Sequence, residues 1–187
     1  MKIRDAEILI VPGFKNAGPG HWQSRWEQKM PNARRIEQKE WAKPVRDEWV
    51  EAIKSEIETT TGPTVLIAHS LGVAAARHAV EDLGPAVTSR RLRGALFVSP
   101  PEVTNPKIRP KHLLTFGPYP STPMPIPSFV IASRNDPFSA FEKAQETAAD
   151  WGSFFVDAGE SGHIDDESGH GPWPEGLMVF AEFMKRL

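Results

Sequence analysis

The sequence of 187 residues contains no cysteine, which rules out disulfides, thiolate catalysis and cysteine-ligated zinc or iron–sulfur centres. It also lacks an excess of either charge. Against 24 Asp and Glu stand 22 Lys and Arg, so no global field gathers phosphates or anionic lipid, and nucleic acid is not an expected partner. Long apolar runs are missing too: nothing approaches the roughly 18 residues a membrane-spanning helix needs. The opening MKIRDAEILIVPG sets charges at Lys2, Arg4, Asp5 and Glu7 before a short apolar run, and so reads as a first strand rather than a secretory leader. These absences point to a soluble, cytoplasmic protein that engages no membrane. The length suits a single domain over 1–187.

Short runs rich in β-branched residues occupy 6–11, 33–36, 64–68, 94–98, 128–132 and 153–157. Helical patterns lie between them, the signature of βα units feeding a mostly parallel sheet with helices on both faces. Pro44 opens a segment in which Val45, Trp49, Ile53 and Ile57 recur every four residues, predicting one apolar stripe against the sheet. A second helix is predicted from Ser70 through Leu83, where Gly72 and the alanines at 74, 75 and 76 permit close packing. Ser139 as N-cap with Glu142 three residues later reads as a capping box for a third, and 174–187 supplies a fourth. Trp22 and Trp26 share a helix face at i, i+4, with core packing as their expected role. Nine of the 18 prolines fall in 99–128. That segment cannot form regular hydrogen bonds through most of its length and is predicted to be an ordered loop. It either borders a site or makes a rigid excursion, and the tendency of functional residues to sit on loops favours the first.

The third run continues as VLIAHSLGVAAA, a buried-strand pattern running into Ser70 and then into a helix of small residues. This is the arrangement of a nucleophile elbow, in which a strained turn projects the serine Oγ and the positions two before and two after must be small. Ala68 and Gly72 meet that need, with alanine standing where the strict pattern has glycine. A serine hydroxyl needs a base to take its proton, and the base needs an acid to hold its tautomer. Both follow in the chain order such folds use. Asp136 lies in ASRNDPF after the fifth strand, and His163 lies in DAGESGHID after the sixth. Three strand ends thus converge on one edge of the sheet, where open α/β folds put their sites.

His170, in SGHGPWPEG, is the rival base. Its flanking glycines and the prolines at 172 and 174 mark a structural turn, so His163 is preferred. His69, adjacent to Ser70, is expected to point away from it. The group His163, Asp165, Asp166, Glu167 and His170 has neither helical histidine spacing nor a loop motif for a cation, so no metal is expected, and no residue pattern calls for a cofactor. For the developing oxyanion the N–H of Leu71 is one donor. The other is the N–H of Phe14, which Pro12-Gly13 turns toward the same oxygen. Phe14 and one or two of the N-terminal tryptophans could line an acyl pocket.

The blocks VPGF, HWQSRWE, WVEAI, VLIAHSLG, PSFVIASRNDPF, SGHI and SGHGPWPEG, spread over nearly the whole chain, resemble those of the small single-domain serine hydrolases that include retinoblastoma-binding protein nine. The resemblance implies a minimal α/β-hydrolase: a three-layer α/β/α sandwich on six parallel strands in the order 2-1-3-4-5-6, with little or no lid. It also implies Ser70 as nucleophile, Asp136 as acid and His163 as base. The expected function is hydrolysis of small ester or amide substrates through an acyl-enzyme. The alternative is a protein-binding module on a hydrolase scaffold, with 100–127 or exposed aromatics as its interface.

Overall fold

A computed structural model describes residues 1–107 and 110–187. Six strands form one parallel sheet: β1 (Glu7–Val11), β2 (Ala33–Arg35), β3 (Thr64–His69), β4 (Leu92–Val98), β5 (Ser128–Ala132) and β6 (Phe154–Asp157). Their order across the sheet is β2-β1-β3-β4-β5-β6, as the resemblance implied. Parallel neighbours require crossover connections. Among the described residues, five α-helices supply or flank them: α1 (Trp22–Lys29), α2 (Arg46–Thr59), α3 (Leu71–Arg91), α4 (Phe141–Asp150) and α5 (Pro174–Lys185). Among the described residues no helix is long and apolar enough to cross a membrane.

Alternation along the strands divides the core in two. Leu9, Val11, Leu66, Ala68, Ala95, Phe97 and Val130 pack under α2, α3 and α4. Ile8, Ile10, Val65, Ile67, Leu96, Val98, Phe129 and Ile131 face α1 and α5, where Trp22, Trp26, Phe180 and Phe183 cover them. Both faces of the inner strands are therefore apolar, which is why those strands read as continuous runs. Trp22 and Trp26 are core residues, as their spacing suggested.

Four local expectations need correction. The stripe of α2 is Trp49, Val50, Ile53 and Ile57, while Val45 is an exposed, extended cap residue. A four-residue step turns a helix 40° past a full circle, so Val50 takes the place the repeat assigned to Val45. The helix from the elbow does stop near Leu83, because Gly84 leaves helical geometry (φ 71°, ψ 166°), but Pro85 restarts it as a final stretch of α3. No capping box forms at Ser139. The cap of α4 is Ala140, which shifts Glu142 one place too early to reach back, and Ser139 Oγ donates to Ala140 O instead. Within 99–128 a 3-10 helix, Lys111–Phe116, forms between Pro110 and Pro118 where the amides are available. The other described residues from 99 to 127 are loop, and residues 108–109 lie outside the described residues.

Candidate active site

The strand-to-helix turn after β3 holds Ser70 at φ 53°, ψ −127°, a conformation that non-glycine residues avoid unless the surroundings impose it. Ser70 N–H donates to Val98 O at 3.0 Å, and Ser70 O accepts from Val73 N–H at 2.8 Å. A β-carbon on Gly72 would strike Pro12 O and lie 2.6 Å from Val11 O. One on Gly13 would lie 2.8 Å from Ser70 Cβ. These two glycines let the loop after β1 press against the elbow. The methyl of Ala68 sits in the packed core under α3, and the glycine of the strict pattern is not needed there.

Ser70, His163 and Asp136 are brought together. His163 Nε2 lies 2.7 Å from Ser70 Oγ, and His163 Nδ1 lies 2.9 and 3.0 Å from the two Asp136 oxygens. An ionised carboxylate only accepts, so the proton sits on Nδ1 and the lone pair of Nε2 faces the hydroxyl. Both side chains are nearly excluded from solvent, at 8% for His163 and 3% for Asp136. Asp136 Oδ1 also accepts from Phe138 N–H at 2.9 Å. The turn role of an Asn-Asp-Pro sequence and the partnership with His163 therefore coexist in one carboxylate. The ring of Phe138 stands edge-on to the imidazole, 4.6 Å between centroids.

The loop carrying His163 is fixed from several sides. Gly162 N–H donates to Asn135 Oδ1 at 2.7 Å, Ser161 N–H to Ser133 Oγ at 2.8 Å, and Trp22 Nε1–H to Ile164 O at 2.9 Å. Gly162 has φ 56°, and a β-carbon there would meet Ser168 Cβ at 2.6 Å, so only glycine fits. Sequence reasoning missed Ser133, Asn135 and this use of Trp22. Polar residues one and three places before the acid were a signal, but only coordinates pair them with a loop 27 or 28 residues later.

His170 does not approach Ser70. Its Nδ1 lies 3.2 Å from Ser168 Oγ and its carbonyl accepts from Trp22 N–H, as befits a structural turn. His69 does not bond to Ser70 Oγ, but it does not leave the site: its ring lines the cleft 5.0 Å from that of His163. Burial of the last residue of β3 between His21, Trp22 and His163 leaves it no other direction. Asp165 is engaged with Ser168 through Oδ1, and among the described residues no three His, Cys, Asp or Glu side chains are grouped to hold a metal.

A cleft of about 400 Å³ opens over Ser70. Gly13, Phe14, His21 and Phe138 line it, Asp165, Asp166 and Glu167 edge it, and Pro110 and Leu113 bring the 99–128 segment to its wall. A β-carbon on Gly13 would lie 3.3 Å from Leu71 N, so the Gly13-Phe14 backbone runs beside that amide. Burial pushes His21 down to about 4 despite the nearby Asp166 and Asp165. Its Nδ1 accepts from Gln23 N–H at 3.1 Å and caps α1. Burial, with His21 and His163 adding, holds His69 well below the ordinary histidine range. Both are neutral at pH 7. A second cavity, of about 190 Å³ and lined by Pro101, Tyr119 and Trp151, contains none of the three convergent residues.

Sheet order and elbow define the α/β-hydrolase class. The chain belongs to the serine hydrolase family, whose model matches residues 8–182, and it is an enzyme of the serine hydrolase type. A YdeN-like hydrolase from Pectobacterium atrosepticum is 36% identical over 97% of this chain and 92% of that one, with a TM-score of 0.84. The ydeN gene product of Bacillus subtilis is 20% identical, covering 96% of this chain and 99% of that one, with a TM-score of 0.79. Carboxylesterase CesB from Bacillus subtilis, 14% identical over 96% of this chain and 84% of its own, shares the fold at a TM-score of 0.60. No curated protein matches the chain.

Proposed function

We propose that Ser70, His163 and Asp136 act as a catalytic triad that hydrolyses small ester or amide substrates through an acyl-enzyme, within a single α/β-hydrolase domain. The observation that carries this reading is the continuous relay from Ser70 Oγ through His163 to Asp136, at 2.7 and 2.9 Å. Ser70 Oγ attacks the carbonyl carbon as His163 Nε2 takes its proton, and the carbonyl π pair moves onto oxygen. The N–H groups of Leu71 and Phe14 receive that oxyanion; the nearness of the Gly13-Phe14 backbone to the Leu71 amide supports the pairing. Collapse expels the alcohol or amine, which takes the proton from His163. Water then attacks the acyl-serine, gives its proton to His163, and the acid leaves as Ser70 regains its hydrogen.

A cleft of about 400 Å³ suits a small substrate. The cysteine-free composition favours work in the reducing cytoplasm. The test is a panel of short-chain p-nitrophenyl esters and aminoacyl amides, run with the wild type and Ser70→Ala. Turnover by the wild type that vanishes in the variant is expected; equal turnover by both would remove Ser70 from the chemistry.

A further inference from the structure

His69 lies between nucleophile and base, yet the acyl-transfer steps make no use of it. It ends β3 immediately before Ser70 and is only 4% exposed. Its Nε2 lies 2.9 Å from the main-chain carbonyl oxygen of His163. A carbonyl only accepts, so the proton sits on His69 Nε2 and Nδ1 is bare. We propose that His69 is a positioning residue acting through His163: its Nε2–H bond ties the backbone of the base to the strand end that carries the nucleophile.

Topology supplies the need for such a tie. His163 follows β6, the edge strand, whereas Ser70 follows β3, with β4 and β5 between them. The base must reach across the rim. The backbone on either side of it is left-handed, which Gly162 adopts freely at φ 56° but which strains the β-branched Ile164 at φ 52°. A hydrogen bond from residue 69 to the carbonyl of 163 makes the separation of Ser70 Oγ and His163 Nε2 depend on adjacent residues of one strand end. The rings of His21 and Trp22 hold that of His69 in turn, at 4.9 and 5.9 Å between centroids.

The residue type matters as much as the reach. His69 is held neutral by its burial, so it donates without placing a charge beside His163. A lysine or arginine in the same place would oppose the imidazolium that forms as Ser70 loses its proton.

This inference rests on the triad proposed above, and its test separates the two. His69→Phe keeps ring volume and removes the donor, while in His69→Gln the amide nitrogen falls about where Nε2 lies. A small misplacement at a reacting centre costs on the order of 100-fold. His69→Phe is therefore expected to lower kcat on a p-nitrophenyl ester by about 10- to 100-fold with KM within about twofold, and His69→Gln to recover most of the loss. A role in packing alone would not be rescued by glutamine. A Phe variant at the wild-type rate, or a Gln variant no faster than Phe, would overturn the proposal. Nitrogen-15 NMR of the wild type gives a readout that needs no variant: the Nε2-protonated tautomer of His69 is expected, and the Nδ1-protonated form would overturn it. A wild type without Ser70-dependent turnover would sink the triad instead, and the tautomer would still decide the bond.

Discussion

The short loops after β5 and β6 and the long segment between β4 and β5 border the same cleft, but different hydrogen-bond chemistry predominates in securing them. In the loops after β5 and β6 the backbone N–H groups donate and side chains accept: Gly162 to Asn135, Ser161 to Ser133, Phe138 to Asp136. The long segment, with nine prolines, has few amides to offer. It is gripped by its carbonyls. Arg77 Nη2 donates to Thr122 O at 2.6 Å, His78 Nε2–H to Phe116 O at 2.9 Å, and Trp151 Nε1–H to Pro120 O at 2.8 Å. All three donors come from α3 or the end of α4, so side chains fasten the segment from outside, whereas the short loops also fasten one another, with Trp22 and His69 adding donors at the Ile164 and His163 carbonyls. Chemistry that depends on tenths of an ångström sits on the self-fastened loops.

The largest effects are expected there. Ser70→Ala or His163→Ala should lower kcat by about 10⁴- to 10⁶-fold, and Asp136→Asn by about 10⁴-fold, in steady-state ester hydrolysis. The contrast itself breaks if the next pair behaves alike. Asn135→Ala removes the acceptor for Gly162 N–H and should cost about tenfold in kcat with little loss of stability. Arg77→Met releases Thr122 and should lower stability by about 1–3 kcal/mol in urea titration while kcat stays within twofold. Gly72→Ala sharpens the comparison from another side. In a helix that change ordinarily stabilises by about 1 kcal/mol, but here the methyl would enter the Val11 and Pro12 carbonyls, and a net destabilisation of about 1–3 kcal/mol is expected in thermal unfolding.

A further effect appears on acidification. His21 is neutral when folded and titrates near 4, against 6.5 in the unfolded chain. The unfolded state therefore binds the extra proton, so the contribution of His21 is complete above about pH 6.5 and is lost as the pH falls toward 4. At pH 5 the loss amounts to about 2 kcal/mol. His21→Asn retains a cap acceptor and removes the titration. Its melting temperature should depend less on pH between 6.5 and 4 than that of the wild type, and an unchanged slope would count against the buried neutral imidazole.

The same contrast governs what could be read in advance. Strand runs and the three convergent residues were legible because each is written locally, whereas the sheet order was implied by the family resemblance. A buried strand running into a small-residue turn marks Ser70, and strand-end loops mark Asp136 and His163. The stripe of α2 lost Val45 to the cap and the start of α4 slipped by one residue because cap geometry, rather than periodicity, sets a helix end. Arg77 on Thr122, Asn135 on Gly162 and His69 on His163 were not legible. Each joins residues 27 to 94 apart, and no local pattern in either partner specifies the other. Pro-rich composition did mark 99–128 as an ordered loop without regular hydrogen bonds, but not which donors hold it.

The most direct measurement is intact-protein and peptide mass spectrometry after treatment with a fluorophosphonate. One adduct is expected per chain, on the peptide containing Ser70, forming rapidly in the wild type, at a strongly reduced rate in His163→Ala, and not at all in Ser70→Ala. An adduct of equal yield in Ser70→Ala, or a modified wild type carrying the group elsewhere, would contradict the assignment of the nucleophile.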